Sequence, residues 1–362
     1  MAVGDTIGVE EEFHLVDPVT GALVAASADV RAHDPEVLEA ELMSSCVETG
    51  TPVCTDLSGL RAALLERRAR LLAAAHAQGL AVVAAGTVPD SGDPGIAVTA
   101  GDERYARMQH DYAVVTAEQQ VCAMQVQVGV PDRDLAVRLL RRVRLWLPTL
   151  LALSSSSPAY RLRDSGYASW RTMQWTRWPS AGPPGAYASG AEYDATVDTL
   201  VEAGVLSDRG MVYFDARPSA RYPTLEIRIM DSCPLVEDVV LLPALGRGLV
   251  EVCAADEAAG VAVPPLRDEL LRAATWRAAR SGLDDRLLDP WTMTSRPAWE
   301  VVAALRARVL PAVEARGDAA EVDGLLAALR ARGTSARRQR ALGDWAGVPA
   351  LLSEETARGV SR

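Results

Sequence analysis

The sequence predicts an α+β fold, in which strands and helices occupy different parts of the chain. Segments that alternate polar with apolar residues, or that are rich in β-branched residues, fall in the first two thirds. From residue 235 onward the pattern is helical almost to the end. The sequence lacks the strict alternation of strands and helices that is typical of a doubly wound sheet, and it contains no evident internal repeat.

The first third of the chain is predicted to contain, in order, a strand at 6–16, a turn at 17–21, a strand segment at 41–55 with a break near Gly50, a helix at about 58–78 and a short buried strand at 80–87. The helix carries leucines along one face. Asp56 or Ser58 is expected to cap it, and Gly79 to end it.

The next predicted elements are a loop at 90–101, a helix at 102–119, a strand at 122–130, a helix at 134–152, a long loop at 154–190, a helix at 191–203 and a strand at 224–231. A loop as long as 154–190 is often functional. Its tryptophans are spaced too irregularly for a helix face, and we expect them in the core rather than in a lid; they are Trp170, Trp175 and Trp178. The whole chain, 1–362, is predicted to form one domain, with a β-rich part mainly at 1–232, a helical region at 233–345 and a flexible tail at 346–362.

The composition excludes several classes of function. The 362-residue chain has a formal net charge of −11 and a pI of about 5.0, so we expect no broad basic surface for nucleic acid. All 37 basic residues are arginines. The absence of lysine excludes Schiff-base chemistry, a pyridoxal phosphate anchor and the lysine of a P-loop. A bound nucleotide would therefore have its phosphates neutralised by arginine and metal.

Cysteine and histidine are sparse and scattered. The five cysteines form no C-x-x-C pair and predict reduced, mostly buried thiols, while the four histidines lack zinc-site spacing. The N-terminal sequence has neither the basic nor the apolar region of a signal peptide. The apolar run at 143–153 is interrupted by Arg144 and Pro148. We therefore expect a cytoplasmic protein without a membrane segment.

Three predicted strands carry charged or amide side chains on one face. Residues two apart in a strand project to the same side, which gives three same-face pairs: Glu10 with Glu12, Gln125 with Gln127, and Glu226 with Arg228. On pattern alone, a solvated sheet face is the more common explanation. The alternative is a site, since a cation such as Mg²⁺ between Glu10 and Glu12 would remove their mutual repulsion.

Further candidates lie outside these strands. Glu41 and Glu48 add carboxylates, although Glu41 taken alone is more often an exposed residue at a strand edge. Four arginines in or beside Gly/Pro-rich loops are suited to a bidentate grip on carboxylate or phosphate: Arg161, Arg163, Arg171 and Arg217. Any single one of them is more often a surface residue.

Several segments match a known family in the family's own order. These segments are GVEEEFHLVDPVTG at the start, ELMSSCVETGTPVC, RYARM at 104–108, LPTLLALSSSSPAY at 147–160, DSGYASWR at 164–171, ARPS at 216–219, PTLEIRIMD at 223–231 and WRAARSGL at 276–283. On these motifs the chain resembles the type 2 glutamate–cysteine ligases and the broader carboxylate–amine ligase group. The resemblance covers about residues 6 to 345.

The resemblance implies a fold related to the glutamine synthetase catalytic domain, with a curved, mainly antiparallel sheet as the floor and helices packed on one side. It implies ATP and Mg²⁺ as cofactors, with Mn²⁺ as an alternative. In the implied reaction ATP phosphorylates an amino-acid-like carboxylate, and an amine then displaces the phosphate to form an amide.

The resemblance also implies roles for individual residues. The implied metal ligands are Glu10, Glu12, Glu48 and Glu226. The implied catalytic residues are Glu226 and Arg228, with Arg228 contacting the phosphoryl group. The implied cofactor contacts are Gln125, Gln127 and Arg217. The implied contacts to the acid substrate are Arg161, Arg163, Arg171 and Glu41.

This chain departs from the family pattern at three positions. Gln125-Val126-Gln127 stands where the family usually has His-Val-His, and Val88-Pro89 stands where it usually has His-Pro. An amide can ligate Mg²⁺ or form hydrogen bonds, but it cannot act as a general base or carry positive charge. We expect nucleotide and metal binding to persist, and the acceptor or the efficiency to differ.

The leading hypothesis is therefore an ATP-dependent ligase that joins an acid, such as glutamate through its γ-carboxylate, to an amine such as cysteine. One alternative is a relative that binds nucleotide or amino acid without ligating them. Another is a phosphotransferase on the same fold. The expected partners are small-molecule acids and amines, not nucleic acid or membrane, and homo-oligomerisation stays open.

Overall fold

A computed structural model describes residues 1–91 and 96–360. The strands are β1 (Ile7–Val16), β2 (Leu38–Ala40), β3 (Cys46–Gly50), β4 (Ala81–Val83), β5 (Met124–Gly129), β6 (Ala159–Tyr160), β7 (Arg163–Asp164), β8 (Ala216–Pro218), β9 (Thr224–Ile227), β10 (Arg286–Leu288) and β11 (Ser295–Pro297). Seven of them form one sheet in the order β2-β3-β1-β5-β9-β8, with β4 paired to β1. All pairings in this sheet are antiparallel. The remaining four strands form two small hairpins, β6–β7 and β10–β11.

The helices are α1 (Ser27–Ala32), α2 (Leu57–Ala77), α3 (Glu103–Tyr112), α4 (Val114–Ala117), α5 (Arg133–Val143), α6 (Leu147–Ser154), α7 (Trp170–Trp175), α8 (Gly190–Glu202), α9 (Val236–Ala258), α10 (Asp268–Ser281), α11 (Ala298–Ala315), α12 (Ala319–Arg332), α13 (Ser335–Leu342) and α14 (Val348–Ala357). A short 3-10 helix occupies Arg209–Met211. Within the described residues, no helix combines the length and apolar character needed to cross a membrane.

Helix α9 packs against the apolar face of the sheet. It is buried along most of its length, because it lies between the sheet and the other helices of the C-terminal region. Its Gly246 faces the sheet, where an added Cβ would lie 3.2 Å from Cδ1 of Ile227 and 3.8 Å from Cγ1 of Val126. A larger residue would push the helix away from β5 and β9, so this glycine sets the spacing between helix and sheet.

A buried ion pair connects α2 to the central strand. Nη2 of Arg68 lies 2.6 Å from Oε1 of Glu11, and each side chain is only 1% exposed. The same guanidinium donates to the carbonyl oxygens of Cys233 and Pro234. Removing one partner of such a pair leaves an uncompensated buried charge, at a cost of about 3–5 kcal/mol. The contact therefore fixes α2 and the start of the C-terminal region against β1.

The predicted architecture is confirmed, since the sheet is antiparallel, the helices pack on one of its faces, and the last third is mainly helical. The predicted strand at 6–16 corresponds to β1 and the predicted helix at 58–78 to α2, whose N-cap is Asp56. The expected strand at 224–231 ends earlier, at Ile227.

Three expectations need correction. The predicted helix at 134–152 is two helices, α5 and α6, because Pro148 lacks an N–H and fits only the first turn of a helix. The predicted loop at 154–190 contains the β6–β7 hairpin and α7. The helical region after residue 235 contains the β10–β11 hairpin. Of the predicted loop at 90–101, residues 92–95 lie outside the described residues.

The expectation of a flexible tail at 346–362 is also wrong for the part that the structure describes. Helix α14 lies there and packs against β4, with Val348 and Leu352 fully buried. The hydroxyl of Thr356 accepts a hydrogen bond from the backbone N–H of Ala84 at 3.0 Å. This helix covers an edge strand that would otherwise expose unpaired backbone groups.

Candidate active site

A cavity of about 970 Å³ lies on the polar face of the sheet, opposite α9. Its floor is formed by β1, β3, β5, β8 and β9. Alternation along these strands sends apolar residues such as Val126 and Val128 into the core and sends polar side chains into the cavity. The lining contains six glutamates, Glu10, Glu12, Glu39, Glu41, Glu48 and Glu226, and five arginines, Arg104, Arg171, Arg217, Arg221 and Arg228.

Strand register decides which of these side chains are neighbours. Glu10 lies opposite Gln125, and Gln127 lies opposite Glu226. The same-face pairs that the sequence predicts therefore stand side by side on adjacent strands. The carboxylates of β1 and the arginines of β8 and β9 lie at opposite ends of one floor, with the glutamines of β5 between them.

The carboxylate end contains a row of acids. Glu12 of β1 lies opposite Glu48 of β3, and Glu48 lies opposite Glu39 of β2. Burial, followed by the charges of Glu41 and Glu12, raises the pKa of Glu48 well above its usual range. Across the described part of the chain, no arginine nitrogen lies within 4.0 Å of any of these carboxylates. When ionised, the row would therefore have no arginine partner, and the raised pKa of Glu48 favours its protonated form.

Glu10 and Glu41 also have no arginine nitrogen within 4.0 Å among the described residues. Burial, and then the charge of Glu226, raises the pKa of Glu10 to about 7. Burial, and then the charge of Glu12, raises the pKa of Glu41 to about 8. Each raised pKa favours the protonated, neutral form of the carboxyl group near neutral pH. A bound divalent cation would reverse both shifts by favouring the ionised form.

The donor set fits an oxygen-seeking cation such as Mg²⁺. Mg²⁺ is commonly held by one or two carboxylates and several waters. Among the residues that the structure describes, no three of these carboxylates have oxygens within 4.8 Å of one another, so one ion cannot bind three of them directly as they stand. The arrangement therefore suits one or more hydrated ions above the floor. Glu10, Glu12 and Glu48 are the ligands that this geometry favours.

Glu226 belongs to the cationic end of the floor. Its Oε2 accepts a hydrogen bond from Nε of Arg217 at 2.8 Å, and its Oε1 accepts one from Nη1 of Arg228. Although burial opposes the shift, the charges of Arg228 and Arg217 lower the pKa of Glu226. Both oxygens are thus engaged, which gives Glu226 the geometry of a residue that positions arginines. Metal ligation by Glu226 stays a prediction.

Arg228 is the arginine best placed to meet a ligand. Its hydrogen bonds to Gln125 and Glu226 are both made by Nη1, and Nη2 makes no hydrogen bond among the described residues. Arg217, in contrast, also donates to the carbonyl oxygens of Gly210 and Val212. Arg217 therefore holds the wall together, while Arg228 keeps donors for an anion in the cavity.

The loop arginines separate into two groups. Arg171 lines the cavity, but its guanidinium donates to the backbone carbonyls of Ile229 and Arg228 and lies 5.6 Å from the ring centroid of Trp175. Arg161 and Arg163 are exposed at the β6–β7 hairpin and do not line the cavity. The structure therefore does not bring these two arginines into the cavity, and their contact with substrate stays a prediction.

The amide group of each glutamine both donates and accepts a hydrogen bond within the floor. Nε2 of Gln125 donates to Oε1 of Glu12 at 3.2 Å, and its Oε1 accepts from Arg228. Nε2 of Gln127 donates to Oε1 of Glu10 at 3.3 Å, and its Oε1 accepts from Oγ1 of Thr224 at 2.6 Å. Each amide oxygen thus accepts one hydrogen bond and keeps a second lone pair. This geometry gives both glutamines the role of orienting carboxylates, and their contact with a cofactor stays a prediction.

Sequence reasoning missed several residues of the cavity. Glu39 is isolated in sequence, and only the pairing of β2 with β3 brings it into the carboxylate row. Arg104 and Tyr105 belong to the RYARM motif, which signalled the family but not their place in the site. Trp175 and Trp178 both line the cavity, a place that the expectation of core residues did not include, and Trp178 is also buried.

An antiparallel floor with carboxylates at one end and arginines at the other, backed by helices, defines the carboxylate–amine ligase class of fold. A sequence model of the Glutamate-cysteine ligase family 2 matches residues 6–356, and the chain belongs to this family. The resemblance drawn from the motifs is thereby confirmed.

The relatives differ in length. A protein of Salinispora arenicola, provisionally named glutamate–cysteine ligase 2, is 46% identical over 94% of this chain and 90% of its own length. A Frankia alni protein, provisionally named glutamate–cysteine ligase 2-3, is 46% identical over 92% of this chain and 39% of its own length. This chain thus spans well under half of the Frankia relative.

Solved structures share the fold at low sequence identity. The glutamate–cysteine ligase of Francisella tularensis, solved in complex with AMP, has a TM-score of 0.73 and 11% identity, and the match covers 98% of this chain and 89% of that one. A bifunctional glutathione synthetase of Pasteurella multocida has a TM-score of 0.72 and 16% identity, with 97% and 52% covered.

Proposed function

We propose that this protein is an ATP-dependent ligase that joins a carboxylate to an amine through an acyl phosphate. One observation carries the proposal: in the part of the chain that the structure describes, glutamates with no arginine nitrogen within 4.0 Å and an arginine with an unused Nη2 face one another across a single cavity floor. Phosphoryl transfer needs this combination, since catalysis depends on positioning and on offsetting the charge of the phosphates. Family membership supports the same class of reaction.

In the proposed reaction a carboxylate oxygen of the acid forms a bond to the γ-phosphorus of ATP, and ADP leaves. The amine nitrogen then attacks the acyl carbon, loses a proton, and displaces phosphate. Arg228 would hold the transferring phosphoryl group through Nη2, which makes no hydrogen bond among the described residues. Glu10, Glu12 and Glu48 would hold Mg²⁺, which supplies positive charge to the phosphate oxygens.

Within the cavity, the chain's own hydrogen bonds keep these groups in place. Glu12 accepts from the backbone N–H of Ala123 at 2.7 Å and from Gln125 at 3.2 Å. Its carboxylate therefore has a fixed orientation before any ligand binds. Such preorganisation lowers the reorganisation needed during the reaction.

For the substrates we propose an amino acid as the acid, with glutamate as the first candidate through its γ-carboxylate, and cysteine as the first candidate amine. Support comes from the names of the relatives in Salinispora and Frankia. The arginines of the cavity wall that remain partly exposed, Arg104 and Arg221, suit the α-carboxylate of an amino acid.

A second candidate is binding of nucleotide or amino acid without ligation. The observation that favours it is the pair Gln125 and Gln127, whose amides supply no titratable group beside the carboxylates. The experiment that separates ligation from binding alone also distinguishes a phosphotransferase, which would stop at the phosphorylated acid.

The test measures ADP and phosphate release with a panel of amino acids, each with and without a panel of amines, and identifies products by mass spectrometry. A ligase gives ATP turnover that depends on both partners and a product heavier than the acid by the amine minus water. Turnover with the acid alone indicates a phosphotransferase, and binding without turnover indicates the second candidate. Arg163→Ala, which changes an exposed arginine outside the cavity, is the matched control for Arg228→Ala.

A further inference from the structure

Three side chains that commonly bind metals meet at the carboxylate end of the floor, beneath the cavity. His14 of β1 lies opposite Cys46 of β3, and Cys122 precedes β5. Nδ1 of His14 is 3.7 Å from Sγ of Cys46, which is 3.7 Å from Sγ of Cys122. All three residues are fully buried. In the described chain this is the one group of histidine, cysteine and acidic residues whose ligand atoms all lie within 4.8 Å of one another.

The polar atoms of this cluster are poorly satisfied by the protein. Within residues 1–91 and 96–360, Nε2 of His14 has no hydrogen-bond partner, and Nδ1 contacts only the thiol of Cys46. A thiol is a weak hydrogen-bonding group. Leaving a buried polar group without a good partner destabilises the folded state. Packing alone therefore gives no reason for an imidazole at this place.

We propose that His14, Cys46 and Cys122 form a binding site for a thiophilic divalent cation, with Zn²⁺ as the first candidate. Tetrahedral coordination with Zn–S bonds of about 2.3 Å separates two sulfur ligands by about 3.8 Å, close to the observed distance. Binding releases two protons as the thiols become thiolates. Two thiolates and a neutral imidazole balance the charge of the ion, so the occupied site adds no net charge to the buried region.

The cation would enter from the cavity. Cys46 lines the cavity, so the fourth coordination position opens towards it and is available to water or to a carboxylate. Glu12 lies two residues before His14 on the same face of β1, and Glu48 lies two residues after Cys46 on β3. A thiophilic cation bound here would therefore compete with Mg²⁺ for the same acidic row. We infer that loading this site inhibits whatever reaction the cavity performs.

The sequence does not signal this site, because its ligands come from three separate segments. The spacing of the histidines and the absence of C-x-x-C predict no zinc site. The cluster exists only because β1 pairs with both β3 and β5. It is also independent of the ligase proposal, since it concerns binding of a different ion by different atoms.

The test uses the purified full chain, stripped of metal by a chelator and kept reduced. Co²⁺, a spectroscopic stand-in for Zn²⁺, is titrated in, and the visible bands of tetrahedral Co²⁺ and the sulfur-to-cobalt charge-transfer band are recorded. Zn²⁺ is then added to displace Co²⁺, and the released protons are measured. We expect one equivalent to bind with sulfur charge transfer. We expect Cys46→Ser and Cys122→Ser each to weaken binding by more than the ~10–100-fold typical of losing an outer partner of a metal ligand.

Cys253→Ser is the matched control, because Cys253 is equally buried but lies in α9, away from the cluster. It should bind Co²⁺ as the unmodified protein does. Circular dichroism checks that each variant is folded.

Absence of sulfur charge transfer in the unmodified protein overturns the proposal, whether or not any variant folds. Equal binding by the Cys122→Ser and Cys253→Ser variants also overturns it, as does loss of two thiols by disulfide formation in the chelated protein. Inhibition of ATP turnover by Zn²⁺ in the control but not in Cys122→Ser would support the inferred effect on the cavity.

Discussion

Glu12 and Glu48 stand directly opposite each other on adjacent antiparallel strands, and both face the cavity. Like charges in this position destabilise a sheet. Neither carboxylate has an arginine within 4.0 Å in the described part of the chain. The pair is therefore unfavourable while both carboxylates are ionised, and a cation in the space above it would remove the repulsion.

Replacing Glu48 with glutamine tests this relationship. We expect Glu48→Gln to raise the melting temperature of the protein in metal-free buffer, because it removes one member of a like-charge pair. We expect the same variant to lose most of the additional stabilisation that Mg²⁺ gives the unmodified protein. Thermal unfolding with and without Mg²⁺ measures both effects.

Glu354→Gln is the control, since that carboxylate is 77% exposed on α14, far from the floor. It should leave the response to Mg²⁺ unchanged. A Glu48→Gln variant that is less stable without metal, or equally stabilised by Mg²⁺, would contradict the assignment of Glu48 as a ligand.

Arg228 is expected to act on the transferring phosphoryl group. Removing one electrostatic group that acts in a transition state costs about 10²–10³ in kcat. We expect Arg228→Ala to show a loss of that size with only a modest change in the KM for ATP. Steady-state kinetics with each substrate varied in turn provide the measurement.

The Arg163→Ala variant should keep normal kinetics, since Arg163 is exposed and outside the cavity. If Arg228→Ala instead raised only the KM for the acid, Arg228 would bind the acid rather than the phosphoryl group. Because Arg228 also contacts Glu226 and Gln125, circular dichroism of the variant is needed to exclude misfolding.

Local pattern was enough to predict which side chains share a face. The alternation in β1 placed Glu10 and Glu12 together and Glu11 on the opposite side, and in the structure Glu11 pairs with Arg68 outside the cavity. Pattern could not predict which strands are neighbours, because pairing depends on contacts between distant segments. For this reason Glu39, which reaches the site only through the pairing of β2 with β3, was missed.

The same limit explains why the sequence could not separate the arginines that line the cavity from those that do not. Arg161 and Arg171 lie in one Ser/Pro/Gly-rich segment, and composition cannot tell an exposed hairpin from a wall of the cavity. The strand β8 was missed because it is three residues long and contains Pro218, which cannot donate to a ladder. Helix α14 was missed because a short C-terminal segment gives little periodic signal.

Asp215 provides a prediction about pH. It is buried, it has no ion pair within 4.0 Å among the described residues, and its Oδ2 has no hydrogen-bond partner there. Burial raises the pKa of Asp215 to about 7 from a usual value of 3.8. Between those two values the folded state holds a proton that the unfolded state has released, so stability falls as the pH rises.

Asp215→Asn removes this titration, because the amide stays neutral. We expect the free energy of unfolding of Asp215→Asn to exceed that of the unmodified protein by an amount that grows from about pH 4 to about pH 7 and then levels off. The full difference should be a few kcal/mol, at about 1.4 kcal/mol per pKa unit. Denaturant unfolding across this range measures it. A difference independent of pH would mean that Asp215 is ionised throughout.

Gln127 stands where the resemblance to the family implies a histidine, and it offers the sharpest test of the floor. Its amide bridges Glu10 and Thr224, so a side chain here controls the orientation of a candidate metal ligand. We expect Gln127→His to add an acidic limb to the pH–rate profile, since an imidazole titrates near pH 6.5 whereas an amide does not titrate in this range. Nitrogen is a better ligand for Mn²⁺ than for Mg²⁺, so the metal preference should shift towards Mn²⁺.

Gln119→His is the control, because Gln119 also lines the cavity but lies outside the β5 row. Should Gln127→His leave both the pH profile and the metal preference unchanged while Glu48→Gln abolishes turnover, the reaction would occur at the β1–β3 end of the floor and Gln127 would serve only to hold Glu10 in place.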